Sequence, residues 1–221
     1  IIGQVRPLRQ PPTVVVDNDP SKTAEGLVVW NWLYDVHIEE THINSDGERE
    51  TRTYWRDIDS ESGDESFITH DGTGGMVVEP KSFSRKELGQ PIITWSCSHA
   101  SYRQLKEINL WKAVRTYGSG RVLEHRWRLW GLSVGDPCMV HGSATNLTKE
   151  AAKNYGVVKK DPPNSRIALL GTDSEAMKTK IWRGSELTNV ALAESTFETT
   201  VIPVIMMLFA TTVSIICYLA L

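Results

Sequence analysis

The sequence predicts a mainly β fold, a β-rich α+β domain that is partly OB- or barrel-like, followed by a single C-terminal transmembrane α-helix. Two observations carry this prediction. Polar and apolar residues alternate with a period of two in several segments, as in strands that are buried on one face. Residues 201–221 contain no charged side chain, and about 20 apolar residues in a helix span the hydrocarbon core of a bilayer.

The chain is expected to divide into three parts. Residues 1–184 form a β-rich extramembrane domain, residues 185–200 a juxtamembrane helix and residues 201–221 the transmembrane helix. Ser185 can cap the juxtamembrane helix, because its hydroxyl can accept a hydrogen bond from a backbone N–H of the first turn.

The first half of the domain opens with strand patterns. Ile1–Val5 is a candidate first strand. Leu27–Glu40 alternates, with apolar and aromatic residues at the even positions 28–38 and Asn31, Asp35, His37 and Glu39 among the odd ones, which predicts a strand with one buried face. Thr51–Trp55 is expected to return antiparallel to it, so that the two form a long hairpin.

The acidic segment Asp57–Ser66 is predicted to be a solvated loop. Its alternating carboxylates resemble the start of an EF-hand calcium loop, which requires Gly at the sixth place and Glu at the twelfth. Those places hold Ser62 and Ile68, so the calcium interpretation fails.

Phe67–Pro80 predicts a hairpin, because the pair Asp71-Gly72 and the following glycines tolerate a positive φ. Asp71 and Glu79 are interpreted as turn and surface residues, not as an acid–base pair. The glycines are not a phosphate loop, since no GxxxxGK[ST] lysine follows them.

The second half is less regular at first. Lys81–Tyr117 has a three-residue spacing of apolar residues from Tyr102 to Trp111, which allows a short amphipathic helix. Further strands are predicted at Arg121–Gly131, Cys138–Ala144, Arg166–Leu170 and Lys180–Trp182, with a polar connection over Glu150–Pro163.

No residue pattern indicates catalysis, a cofactor or a metal site. The chain has 6 histidines, and none has the HExxH or CxxC neighbours of a zinc site. Cys138 and His141 are three residues apart, which places them on opposite faces of a strand. Cys97 and Cys138 are the only pair that could form a disulfide within the domain; we favour free thiols, and the disulfide stays open.

The chain has 8 tryptophans, most of them at predicted strand positions, and sheet packing explains most of them. Trp182 is the best candidate for a protein or membrane interface, because it lies nearest to the predicted span. Trp127 and Trp130 are further interface candidates. Asn146 begins an Asn-Leu-Thr triplet that fits the glycosylation sequon.

The predicted transmembrane helix begins at Val201 and ends at Leu221, and its other marked positions are Pro203, Thr211, Thr212 and Ser214. Small and hydroxyl-bearing residues allow membrane helices to approach each other. The expected partners are therefore the lipid bilayer and other membrane protein subunits. The net charge of -3 argues against a nucleic-acid binder, which usually carries a basic face.

Several motifs in order resemble the GIDE-type domain, a module of membrane-bound mitochondrial RING ubiquitin ligases with relatives in prokaryotic membrane proteins. They are the DGTG turn at 71–74, the Val-Glu-Pro exit at 78–80, the Val-Gly-Asp at 134–136 and the VxGxA at 140–144, and the WRGSELTN helix start at 182–189 before the membrane span. The resemblance covers most of the chain.

The resemblance implies that residues 1–184 lie between two transmembrane helices. The missing start Met agrees with a first helix upstream of Ile1, so the chain is single-pass as given or two-pass with that helix; the identity of the membrane and the side that the domain faces stay open. The family's ligase activity belongs to a RING zinc module, and this chain has no CxxC pair, so that activity is not carried over.

The sequence therefore predicts a non-catalytic, membrane-anchored interaction or structural subunit of a larger membrane complex. One alternative is the anchoring part of a ubiquitin-ligase-like protein whose RING module is absent from this chain. A weaker alternative is an OB-like binder of nucleic acid or sugar, supported by Arg121, Arg126 and Arg128 near Trp127.

Overall fold

A computed structural model describes residues 1–43, 45–105, 120–157, 166–173 and 178–184. The described part is mainly β, as predicted. Its strands are β1 (Ile2–Pro7), β2 (Val14–Val15), β3 (Thr23–Ala24), β4 (Leu27–Ile43), β5 (Arg49–Asp64), β6 (Phe67–His70), β7 (Gly75–Val78), β8 (Lys86–Glu87), β9 (Ile93–Ser98), β10 (Arg121–Ser133), β11 (Pro137–His141), β12 (Ser143–Asn146), β13 (Ile167–Leu170) and β14 (Lys180–Arg183). Its helices are α1 (His99–Leu105) and α2 (Lys149–Asn154).

The predicted juxtamembrane and transmembrane helices, over 185–200 and 201–221, lie outside the described residues. Among the residues that are described, no helix combines the length and the apolar character needed to cross a bilayer.

The described strands form three sheets. One sheet has the order β12-β13-β7-β6-β1-β11-β14-β8, a second has the order β5-β4-β10-β9, and β2 pairs with β3. Most neighbours are antiparallel, whereas the β13–β7 and β14–β8 pairs are parallel.

The four-stranded sheet confirms the alternation seen in the sequence. Trp32 and Val36 of β4 and Trp127 and Leu129 of β10 are buried on one face and pack into a single apolar cluster. Asp35 is a charged residue that lies on the opposite face and is nevertheless fully buried.

A second apolar cluster lies between the two large sheets. Phe67 of β6, Val140 of β11 and Ile181 of β14 pack there against Val29 of β4. Trp130 of β10 is half-buried and packs against the same cluster. One end of the four-stranded sheet is thus fixed to the eight-stranded sheet.

The prediction of an acidic loop is wrong, because most of Asp57–Ser66 belongs to β5. That strand pairs with β4 from Ile43↔Arg49 to Val29↔Asp64, with one irregularity opposite Tyr34/Asp35. Asp and Ser have low strand propensity, but propensity in sheets depends on context. The long edge of β4 supplies a backbone partner along the whole segment, and this outweighs the loop-like composition.

The polar connection predicted over Glu150–Pro163 contains helix α2, so this prediction is wrong at its start. The Thr148 side chain caps the helix by accepting a hydrogen bond from the Ala151 N–H at 3.1 Å. The strand predicted at Cys138–Ala144 is two strands, β11 and β12, on either side of Gly142. A Cβ at Gly142 would lie 2.8 Å from the Leu170 carbonyl oxygen, so the chain can change partners there only with glycine.

Candidate functional site

The exposed face of the four-stranded sheet carries a row of charged side chains with a tryptophan at each end, which we call the Trp–Arg strip: Trp55, Asp35, Arg126, Arg128 and Trp130. Asp35 pairs directly with Arg126 across β4 and β10, and Arg128 and Trp130 follow at alternate positions of β10. Trp55 of β5 pairs with His37, two residues after Asp35. Paired residues and residues two apart share a face, so the register brings all five together.

The carboxylate of Asp35 is the centre of the strip. Arg126 donates to it through Nε at 3.0 Å and through Nη2 at 2.6 Å, and Arg128 donates through Nη2 at 2.6 Å. Asp35 is 0% exposed, whereas the two arginine side chains are 24% and 26% exposed. This hydrogen bonding to Asp35 raises the pKa of Arg126. A buried carboxylate of this kind requires such pairing, because an unpaired buried charge is costly.

Each arginine also contacts an indole ring. Cζ of Arg126 lies 3.6 Å from the centroid of the Trp55 ring, and Cζ of Arg128 lies 5.1 Å from that of Trp130. His37 stacks on Trp55 at 4.9 Å between ring centroids. Cation–π contacts of this geometry are attractive. Asp35 and the indoles together hold both guanidinium groups in fixed orientations.

The charge balance around the strip is not basic. Asp57 and Glu124 both act electrostatically on Arg126. Together with Asp35 they set three carboxylates against the two guanidinium groups. A surface that neutralises phosphates needs an excess of cations, and this surface lacks one.

A cavity of about 570 Å³ adjoins the Trp130 end of the strip. It is lined by Trp30, Asn31 and Leu88, and by the ion pair of Lys86 with Asp64. Its volume falls within the range of small-molecule pockets. The cavity gives this end of the strip a concave shape, with both apolar and polar walls.

The buried histidine His125 lies on the other face of the same sheet. One ring nitrogen is 2.7 Å from the Tyr34 hydroxyl and the other is 2.8 Å from Nδ1 of His99. The Tyr102 ring stacks on it at 3.8 Å. Burial, followed by the nearby His99, lowers the pKa of His125 to about 4. A neutral imidazole donates through one nitrogen and accepts through the other, so both bonds are satisfied without a charge.

These two histidines do not make a metal site by themselves. Within the described ranges, no group of three or more His, Cys, Asp or Glu side chains is placed to hold a metal ion. We interpret the His99–His125 pair as part of the packing between α1 and the sheet.

The structure separates the three tryptophans that the sequence offered for an interface. Trp127 is 2% exposed and Trp182 is 5% exposed, so both rings lie in the core. Trp130 is half-buried and belongs to the Trp–Arg strip. The prediction for Trp182 rests on its closeness in sequence to the predicted span, but closeness in sequence does not place a side chain on the surface.

The arginines also have partners different from those expected. Arg126 and Arg128 lie on the face opposite Trp127, as their even positions imply, and contact Trp55 and Trp130 instead. Arg121 is exposed at the start of β10. Sequence reasoning missed Trp55, because its place beside Arg126 depends on the register of β5, β4 and β10.

The remaining candidates have structural surroundings. Asp71 accepts hydrogen bonds from the Thr73 and Gly74 N–H groups and closes the β6–β7 turn, as predicted. Glu79 is half-buried and accepts from the Ser66 hydroxyl at 2.9 Å. Asn146 is exposed at the end of β12, and its glycosylation stays a prediction.

Cys97 and Cys138 are not bonded to each other. They lie in different sheets, on β9 and β11. Cys138 is fully buried and contacts the Thr69 hydroxyl at 3.4 Å, and burial raises the pKa of its thiol to about 11. His141 is exposed, so it and Cys138 point to opposite faces as expected.

No protein-family model, curated protein or solved structure matches this chain. The resemblance to the GIDE-type domain therefore stays a prediction from the sequence.

Proposed function

We propose that this chain is a non-catalytic, membrane-anchored binding subunit, and that its Trp–Arg strip contacts another protein of the same membrane complex. The observation that carries the proposal is the fixing of two arginines between a buried carboxylate, Asp35, and two partly exposed indoles. The uncharged segment 201–221 supports the membrane anchor.

The composition of the strip supports a protein partner. Trp and Arg are enriched in protein interfaces and among the residues whose truncation costs the most binding energy. Trp55, Arg126, Arg128 and Trp130 are all partly exposed, so a partner can reach them. Tight binding also requires that these side chains are ordered before the partner arrives.

The strip meets that requirement. Ordering a long side chain on binding costs free energy, and a surface that is already ordered avoids much of this cost. The bidentate contact of Arg126 with Asp35 and its stacking on Trp55 fix its guanidinium group in the free protein. The strip therefore fits a partner that presents carbonyl or carboxylate acceptors between apolar side chains.

The test uses the full chain, isolated in a mild detergent from membranes that contain its natural partners. Trp130→Ala and Trp55→Ala are compared with Tyr54→Ala, which removes an exposed aromatic ring from the opposite face of β5. We expect each variant of the strip to lower the affinity for the partner by about thirtyfold, which is the effect of truncating a typical interface hot spot. The Tyr54 variant should retain the partner.

Two results would contradict the proposal. One is recovery of the wild-type chain without any associated protein. The other is equal binding by Trp130→Ala and Tyr54→Ala, which would move the contact away from the strip. Circular dichroism and intrinsic fluorescence must first show that each variant is folded.

A binder of single-stranded nucleic acid or of oligosaccharide is the second candidate, because Trp–Arg surfaces also stack on bases and sugars. The three carboxylates around the arginines weigh against a polyanion. Filter binding with both ligand types tests it: retention by the wild type that Trp55→Ala abolishes would favour this candidate over the protein partner.

A further inference from the structure

The edge strand β5 is unusually long and exposed. It runs for 16 residues along β4 and forms one edge of the four-stranded sheet. No other strand in the described part of the chain pairs with it. Edges of this length attract a further strand unless the fold protects them.

The charges of β5 are separated along its length. The first half contains three arginines and one glutamate, namely Arg49, Arg52, Arg56 and Glu50. The second half contains only acidic charges, namely Asp57, Asp59, Glu61 and Asp64. When two copies of such a strand run antiparallel about a two-fold axis, the basic half of each lies opposite the acidic half of the other.

The irregularity opposite Tyr34/Asp35 adds a condition that the sequence alone does not reveal. A two-fold axis normal to the sheet keeps every residue on its own face, so facing residues must share a face. Arg52 pairs with Glu40 and Glu61 pairs with Trp32. Both partners are at even positions of β4, so Arg52 and Glu61 share a face although one number is even and the other odd.

The same register matches other positions. Thr53 pairs with Glu39 and Ser60 pairs with Leu33, so these two hydroxyl residues also share a face. A register that sets Arg52 opposite Glu61 sets Thr53 opposite Ser60 and Tyr54 opposite Asp59. At the axis, Arg56 pairs with Val36, midway between Glu40 and Trp32, so the two Arg56 side chains face each other and oppose the pairing at that point. Opposite charges and paired hydroxyls are both favourable cross-strand neighbours.

We infer that β5 pairs antiparallel with β5 of a second copy of this chain, and that the two four-stranded sheets join into one sheet of about eight strands across a two-fold axis. A parallel pairing would set like charges opposite each other. Arg52 is 65% exposed and reaches Glu50 of its own strand at 3.2 Å, so its side chain is at the surface and can turn to the partner's acidic half.

Cysteine cross-linking of the full chain in mild detergent tests the register. A mixture of Thr53→Cys and Ser60→Cys chains should form a disulfide-linked heterodimer, identified by peptide mass spectrometry. Either variant alone should not, because Thr53 and Ser60 pair with residues of β4 that are six positions apart, so identical positions of the two copies are separated by about 20 Å. A cross-link between two Thr53→Cys chains would indicate another register and would overturn the inference.

Charge exchange tests the electrostatic argument. Arg52→Glu and Glu61→Arg should each weaken dimerisation by about tenfold, because each change occurs twice in a symmetric dimer. The double variant R52E/E61R should recover it. Lys149→Glu, an exposed charge reversal on α2, is the matched control and should have no effect.

Sedimentation or light scattering measures the oligomeric state of the chain. A wild-type chain that stays monomeric across the concentration range overturns the inference. Cross-linking of Thr53→Cys or Ser60→Cys to a different protein also overturns it. Trp130 lies on β10, away from this edge. Trp130→Ala should therefore leave the dimer intact while it lowers the affinity for the proposed partner protein. The dimer and the proposed function can therefore fail separately.

Discussion

The guanidinium group of Arg126 lies 3.6 Å from the centroid of the Trp55 ring, although their strands are separated in the sheet by β4. The pair therefore crosses over β4 and covers the position of Asp35. This relationship explains why a carboxylate on the exposed face of a sheet is fully buried. It also makes the Trp–Arg strip a single unit and not a set of independent surface residues.

Replacement of the central carboxylate should destabilise the domain. We expect Asp35→Asn to lower the free energy of unfolding by about 3 kcal/mol, the lower end for a broken buried ion pair, because both arginines keep some contact with water. Urea unfolding monitored by tryptophan fluorescence measures the change. Asp59→Asn, at an exposed position of β5, should change stability by less than about 0.5 kcal/mol, and equal effects of the two variants would contradict the prediction.

Acidification should destabilise the domain through His125. Its pKa is about 4 in the fold against a reference value of 6.5, so the unfolded chain binds the proton more readily. The stabilisation is complete above pH 6.5 and decreases as the pH falls from 6.5 towards 4, by about 3 kcal/mol in total. Nuclear magnetic resonance should show that the His125 ring does not titrate above pH 5.

The control for this pH dependence is His141→Gln, because His141 is exposed. It should leave the dependence of stability on pH unchanged, whereas His125→Phe should reduce the slope between pH 4 and 6.5. A His125 titration centred near 6.5 would show that the ring is not buried in the folded protein.

The two stacked tryptophans on opposite faces should differ in their effect on stability. Trp127 is buried and stacks on Tyr34 at 4.7 Å, so Trp127→Ala should cost about 3–5 kcal/mol, as do other large-to-small core substitutions. Trp55 is only partly buried, and Trp55→Ala should cost about 1–2 kcal/mol. Thermal or urea unfolding distinguishes the two, and similar losses would contradict the assignment of faces.

The Cys138 thiol should be unreactive in the folded protein. Burial raises its pKa to about 11, and the thiolate is the reactive form. Iodoacetamide at pH 8 should therefore modify Cys138 only after unfolding, as followed by peptide mass spectrometry. Cys138→Ser identifies the peptide, and rapid labelling of the native protein would contradict the buried placement.

Local sequence patterns determined a large part of the fold. Alternation predicted the faces of β4 and β10, the Asp71-Gly72 turn predicted the β6–β7 hairpin, and short strand patterns predicted β1, β13 and β14. These features depend on neighbouring residues, so a short window of sequence contains the information. The period of two also placed Arg126 and Arg128 together on one face of β10, and the strand register agrees with this.

Tertiary structure alone decided which residues lie next to those arginines. Trp55 reaches Arg126 only because β5 and β10 both pair with β4 in one register, and a change of one residue would turn the ring to the other face. The acidic half of β5 is a strand for the same reason, since a long neighbouring edge outweighs composition. Pairing between distant segments depends on free energies that no local window contains, whereas the period of two in each strand could be read directly.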